Sequence, residues 1–217
     1  FIEGEGPKFH HPLRDEAACQ NLATPAIGEK LDYVFKAVSL IKQELDGSVP
    51  LIGFCGSPWT LLTYMVEGGA SKDYQNTKKL IYDRPELAKQ VLDKLCSALI
   101  DYLCNQIEAG ADTVMMFDSW GGVLSTPAYL KFSLTPMQRI ISAVKAKHPN
   151  TPITLFTKGG GQWLSAIAES GCDMVGLDWQ TDIHMARQQI GDQVALQGNM
   201  DPTLLYTDPS VIRDEVA

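Results

Sequence analysis

Three aspartates, Asp118, Asp178 and Asp201, follow closely on short apolar runs, where a carboxylate can act as a base, cap a helix or hold a ligand. Asp201 precedes Pro202 and reads most simply as an N-cap, while Asp178 stays open among these roles. The neighbouring candidates are Cys55–Ser57, Phe117–Gly122, Thr157–Gly161, Trp179 and Gly198–Met200. Ser119 lies in Asp-Ser-Trp-Gly-Gly rather than in the GxSxG elbow of a serine hydrolase, and no histidine is placed to pair with it. It reads as a hydrogen-bond donor, not a nucleophile. Gly159-Gly160-Gly161 lacks the Lys-Ser/Thr of a P-loop and the spacing of a dinucleotide loop, so a tight turn is favoured over a phosphate cradle. Of the histidines, His10-His11 read as a solvated pair and His148 as a cation complementing a helix C-terminus. None falls at a strand end with a Cys or carboxylate at ligand spacing, so no metal site is expected.

The elements that would position these residues alternate along the chain. Apolar spacing predicts a helix over 31–45. Residues 51–55 read as a buried strand, followed by a turn in which Ser57 caps a helix begun by Pro58. A short helix over 74–82 stops before Arg84-Pro85, and Pro85 opens a long one to about Glu108, with Leu87, Val91, Leu95, Leu99, Tyr102 and Ile107 as its inner stripe. Further strands are expected at 112–117, 152–156, 173–177 and 194–197, with helices over 127–147, after Gly161 through Ser170, over 182–190, and after Pro202. Residues 1–30 read as an irregular lead-in. Apolar strands each followed by a helix imply a parallel sheet buried on both faces. The expected class is α/β, a partial (β/α)8 TIM-type barrel of about five βα units, with 1–217 as one incomplete domain; a doubly wound sheet is the runner-up. In a barrel the loops after the strands carry the chemistry, which makes the residues above the candidates.

Bulk properties narrow the classes. The chain has 217 residues, 45% hydrophobic, enough for one sizeable core. A net charge of −8 argues against nucleic acid or an anionic membrane as partner and makes any polyanionic substrate depend on a local cation. No run approaches the ~18 apolar residues of a membrane span, and FIEGEGPKFH has no signal-peptide pattern. The five cysteines, Cys19, Cys55, Cys96, Cys104 and Cys172, are scattered without a CxxC, as in a reduced cytoplasmic protein. Cys96 and Cys104 are expected in the core, and Cys55 as a buried small hydrophobe in preference to a pocket residue. Phe1 and Glu215-Val216-Ala217 read as cut ends of a longer chain.

The wording of several segments is more specific than their pattern. Residues 53–68, GFCGSPWTLLTYMVEG, closely resemble the GFxGxPWTLxxYMxEG segment of the uroporphyrinogen decarboxylase family. FDSWGG at 117–122, FTKGGG at 156–161, GLDW at 176–179, LQGNMDP at 196–202 and GEGPKFHHPLR at 4–14 are similar to its other motifs, in order along essentially the whole chain. The wording of LLTYMVEGG and FDSWGG resembles bacterial members.

The resemblance implies cofactor-free removal of carboxylate from the four acetate arms of uroporphyrinogen III, giving coproporphyrinogen III for haem synthesis. It implies that Tyr64 and Ser119 bind substrate, and that Phe117, with Cys55, Trp59 and Met65 as further candidates, lines an apolar cleft. It implies a cytoplasmic homodimer as the full-length protein, with no metal. The family's catalytic aspartate in an FSDI-type motif, its arginine cluster and its NLGHG histidine have no match here. The chain alone is therefore expected to hold no catalytic residue and to be inactive. The alternative within the same barrel superfamily is a corrinoid-dependent methyltransferase. That class carries a zinc-binding HxCG at the strand end, which here reads Thr157-Lys158-Gly159.

Overall fold

Five short apolar runs pair in chain order into one parallel sheet, β1-β2-β3-β4-β5, in a computed structural model that describes residues 8–69 and 71–216. The elements are α1 (Glu16–Gln20), α2 (Ile27–Lys30), α3 (Asp32–Leu45), β1 (Ile52–Gly56), α4 (Pro58–Glu67), α5 (Gln75–Asp83), α6 (Pro85–Glu108), β2 (Thr113–Asp118), α7 (Thr126–Tyr129), α8 (Thr135–Lys147), β3 (Ile153–Thr157), α9 (Leu164–Ala168), β4 (Met174–Gly176), α10 (Ile183–Ile190), β5 (Ala195–Gln197) and α11 (Pro209–Val216). Sequential parallel order without a reversal puts the crossover helices on one face, since such connections share one hand. The other face stays open: Phe54 is 60% and Ile52 45% exposed on it. That is the arrangement of consecutive βα units of a (β/α)8 barrel, not of a doubly wound sheet.

The helix-facing side carries the core. Val114, Met116, Ile153, Leu155 and Val175 of the strands pack with Trp59, Leu62, Val91, Leu103, Met137, Ile140 and Ile141 of the helices, all buried. Burying one such side chain contributes about 1.5–3 kcal/mol. Cys55, Cys96 and Cys104 are all in this core. Trp59 and Cys55 are thus core residues rather than cleft lining, because the pleat turns Cys55 away from the open face and the first turn of α4 lies against β2.

Every expected strand is present and parallel, with β1, β2 and β3 shifted one residue later than the apolar runs suggest. The cause is a pair of aspartates at the strand starts. Asp112 accepts from Leu51 N (2.7 Å) and pairs with Lys42; Asp173 accepts from Ile153 N (2.7 Å) and pairs with Lys145. Three expectations for helices need correction. Residues 16–20 and 27–30, read as irregular, are short helices, the first capped by Asp15. The helix expected over 127–147 is interrupted by a π-helical turn at Leu130–Leu134. The segment after Gly161 is one 3-10 turn and a five-residue helix ending at Ala168. Among the described residues, no helix is long and apolar enough to cross a membrane.

Candidate functional site

Helix α4 and the loop after β2 meet at the C-terminal ends of the strands. Ser57 caps α4 by accepting from Thr60 N (3.0 Å), Pro58 occupies its first turn, and Gly68 closes it with φ 86°. Residues 8–14 dock on its far end: Phe9 N donates to Gly68 O, Leu13 N to Met65 O, and Arg14 to the carbonyls of Val66 and Glu67. The rest of that motif, residues 4–7, lies outside the described residues. Glu67 accepts from Thr77 N and Oγ1 and from Asn76 Nδ2, tying α4 to α5; desolvation pushes its carboxyl up, but these bonds and Arg14 together outweigh it and hold the carboxyl below the usual range.

Asp118 is the centre of this construction. It is fully buried on the helix side of the sheet and accepts hydrogen bonds from Ser57 Oγ (2.6 Å), Thr60 Oγ1 (3.2 Å), Ser133 Oγ (2.7 Å) and Thr157 Oγ1 (3.4 Å). Burial pushes its carboxyl above the usual range, and the four hydroxyls oppose that shift. The π turn delivers Ser133 to this cluster. Tyr129, stacked 3.8 Å from Trp163, adds its hydroxyl through Thr157 Oγ1 (3.0 Å). One carboxylate therefore joins the start of α4, the end of β2, the end of β3 and the π turn.

On the open side the pleat presents Phe54, Phe117 and Phe156 as a row, with ring centroids 5.8 Å apart at each step. With Ile52, Met115 and Leu177 they line a concavity of about 500 Å³. Phe117 pairs in register with Phe156, and Asp118 with Thr157. Beyond the last paired residues Lys158 N donates to Asp118 O (3.2 Å), so Ser119 and Lys158 leave the ends of β2 and β3 side by side. Tyr64 reaches the same strand ends from α4: its ring packs edge-on 6.3 Å from Trp120, which follows Ser119. Trp120 also packs on Tyr74 (5.3 Å), whose hydroxyl is pushed up to about 12, by desolvation first and then by Tyr64. Trp59 Nε1 donates to Trp120 O (2.9 Å), holding this loop on α4. Among the described residues, Tyr64 OH, Ser119 Oγ and Lys158 Nζ have no hydrogen-bond partner.

The strand-end aspartates are otherwise engaged. Asp178 accepts from Gly159 N, from Gln180 N (3.2 Å) and from Thr181 Oγ1 (3.0 Å). Asp201 accepts from Thr203 N (2.9 Å) and Oγ1 (2.8 Å), the N-cap its sequence context suggests. Asp118 is enclosed on the other face. Among the described residues no group of three or more His, Cys, Asp or Glu is arranged to hold a metal ion. Trp120 and Lys158 fall within the strand-end candidates Phe117–Gly122 and Thr157–Gly161 but have no role of their own there, and sequence reasoning passes over Tyr74; the contacts of Lys158 with Trp120 and Trp179 come only with the fold.

Residues 1–217 match the family model for uroporphyrinogen decarboxylase (URO-D). The chain is 55% identical over its whole length to the uroporphyrinogen decarboxylase of Alkalilimnicola ehrlichii and 56% identical to that of Saccharophagus degradans, covering 60% and 62% of those proteins. It thus spans about three-fifths of the length of these relatives. Among solved structures it resembles a methyltransferase from Methanosarcina mazei, with a TM-score of 0.72 and 22% identity over 88% of this chain and 55% of that one. A B12-independent methionine synthase from Shewanella gives a TM-score of 0.52 at 9% identity, over 82% of this chain and 62% of that one. These two likenesses concern the fold. Because the family model runs from the first residue to the last, over the same strand ends that carry the phenylalanine row and its polar rim, this chain belongs to the uroporphyrinogen decarboxylase family.

Proposed function

We propose that the full-length protein is a carboxy-lyase that converts uroporphyrinogen III to coproporphyrinogen III. The observation that carries this reading is the layered strand end: an aromatic floor of Phe54, Phe117 and Phe156 below the unengaged polar groups of Tyr64 and Ser119. A flat macrocycle with acidic arms asks for that division, apolar contact for its face and donors for its rim. Its chemistry needs no electron sink from outside. A proton added to the pyrrole α-carbon beside the one that bears the acetate makes the ring electron-poor, the acetate C–C bond breaks toward the ring to leave an exocyclic methylene, and CO2 leaves. The methylene then takes a proton, the ring loses one, and the acetate has become a methyl. In this reading Tyr64 and Ser119 donate to substrate carboxylates, Phe117 contacts the ring, and residues 1–217 form one domain with the rest of the barrel. The protein is read as a cytoplasmic homodimer.

The methyltransferase alternative draws support only from fold, since Thr157-Lys158-Gly159 supplies neither of the His and Cys ligands that class uses there. Incubating the full-length protein with uroporphyrinogen III under anaerobic conditions and resolving the products tests the proposal. Stepwise loss of four carboxylates to coproporphyrinogen III is expected; unchanged substrate rejects it.

A further inference from the structure

The rim carries a cation for which neither the fold nor the reading of Tyr64 and Ser119 accounts. Lys158 follows β3 at the strand ends, where its N donates to Asp118 O (3.2 Å) beside the turn that begins at Ser119. Its ammonium lies 5.2 Å from the ring centroid of Trp179 and 5.9 Å from that of Trp120, held between two aromatic faces. Among the described residues it has no ion pair and no hydrogen-bond acceptor. Other lysines at the packed ends of elements are neutralised: Lys42 by Asp112, Lys145 by Asp173. Lys158 is also the single cation among the described strand-end segments 56–60, 118–122, 157–161, 177–181 and 198–202. In a chain of net charge −8, this is where a polyanion can meet positive charge.

We propose that Lys158 is a carboxylate-binding residue of the cleft, taking one peripheral carboxylate of the substrate beside Ser119 while Trp120 and Trp179 fix the direction of its ammonium. This rests on the decarboxylase reading for the identity of the substrate. The geometry is suited to the task. A lysine stem is flexible, and two indole faces restrict it before the ligand arrives, so less freedom is lost on binding. Aromatic faces hold the cation without cancelling its charge, as a carboxylate partner would. The floor below is apolar, so the charged contact forms at the mouth, where the arms of a flat ring lie.

The test uses the full-length protein and uroporphyrin, the stable oxidised octacarboxylate, titrated by quenching of tryptophan fluorescence alongside turnover of uroporphyrinogen. Lys158→Met keeps the stem between the indoles and removes the charge. It is expected to weaken porphyrin binding about tenfold or more and to flatten its salt dependence, with an unchanged unfolding midpoint. Lys158→Arg is expected to restore binding to within about threefold of wild type. Binding by Lys158→Met within twofold of wild type, at the same salt dependence, overturns the assignment and leaves the decarboxylase reading standing. A wild-type protein that neither binds uroporphyrin nor converts uroporphyrinogen overturns that reading itself. If Lys158→Met does not fold, Lys158→Gln against Lys158→Arg decides the same question: equal affinities overturn the assignment, and tighter binding by Arg supports it.

Discussion

Asp118 shows how much one side chain can organise. Its four hydroxyl partners come from α4, from β3 and from the π turn, and none of them carries a charge. Asp118→Ala would leave those hydroxyls facing a void, and a loss of about 2–4 kcal/mol in denaturant unfolding is expected. Asp118→Asn keeps the shape and should cost less. The two carboxamide and carboxyl forms differ in their response to pH. Because burial raises the Asp118 pKa in the folded state, there is a pH range, above the unfolded value and below the folded one, in which the native protein holds a proton there that the unfolded chain has released. Its stabilising contribution is complete below the ordinary carboxylate pKa and is lost as pH rises through the raised one. The stability of Asp118→Asn relative to wild type should therefore improve from pH 4 to pH 8. Parallel profiles would show that the carboxyl is ionised throughout. Tyr64 is a separate case: it packs on Trp120 by its ring alone, so Tyr64→Phe should leave the unfolding midpoint within about 0.5 kcal/mol of wild type while raising KM about tenfold. An unchanged KM removes Tyr64 from the substrate contacts.

At the scale of elements, the loop after β2 is shaped by two glycines. A Cβ on Gly121 would overlap Asp118 Oδ2, and one on Gly122 would overlap Lys158 O and approach Gly159 Cα to 2.9 Å. The loop lies on the end of β3 because neither position has a side chain, and Gly122 N donates to Lys158 O (3.0 Å). Gly122→Ala should separate Ser119 from Lys158 and lower kcat/KM by about tenfold or more, with a smaller loss of stability; full activity would mean the two loops need not touch. This close approach explains FDSWGG in physical terms, although nothing in the residues alone says what the glycines avoid. The βα alternation was readable, because apolar runs in strands buried by helices are continuous and because Ser57-Pro58 and Arg84-Pro85 mark helix starts. The π turn was not: Leu130–Leu134 has ordinary helical composition, and its extra residue per turn is stabilised by Ser133 reaching Asp118, a tertiary effect. Gln106 was equally hidden. It reads as one more polar residue of an amphipathic helix, yet its side chain accepts from Phe54 N (3.0 Å) and donates to Phe54 O (3.0 Å) on the outer edge of β1.

For the whole molecule, the open face sets the behaviour of the 217-residue chain taken alone. Phe54, Ile52 and the concavity they border are apolar and exposed, and β1 and β5 each have a single strand neighbour. Apolar patches beside unpaired strand edges promote association, so the isolated chain should self-associate at micromolar concentration in sedimentation or light scattering. It should also form no coproporphyrinogen. Stabilising a protonated pyrrole calls for a carboxylate aimed into the cleft, preorganised before the charge appears. Asp118 is enclosed on the helix side, Asp178 is bonded to Gly159, Gln180 and Thr181, and Asp201 caps the turn that follows it. None of the three is left to meet a pyrrole nitrogen, and Lys158 is one cation against a body of net charge −8. Anaerobic incubation of the purified chain with uroporphyrinogen, set beside the full-length protein, separates these contributions. Coproporphyrinogen above the uncatalysed background from the chain alone would mean that one of these aspartates leaves its hydrogen bonds to serve the ring, and Asp178→Asn and Asp118→Asn would then show which.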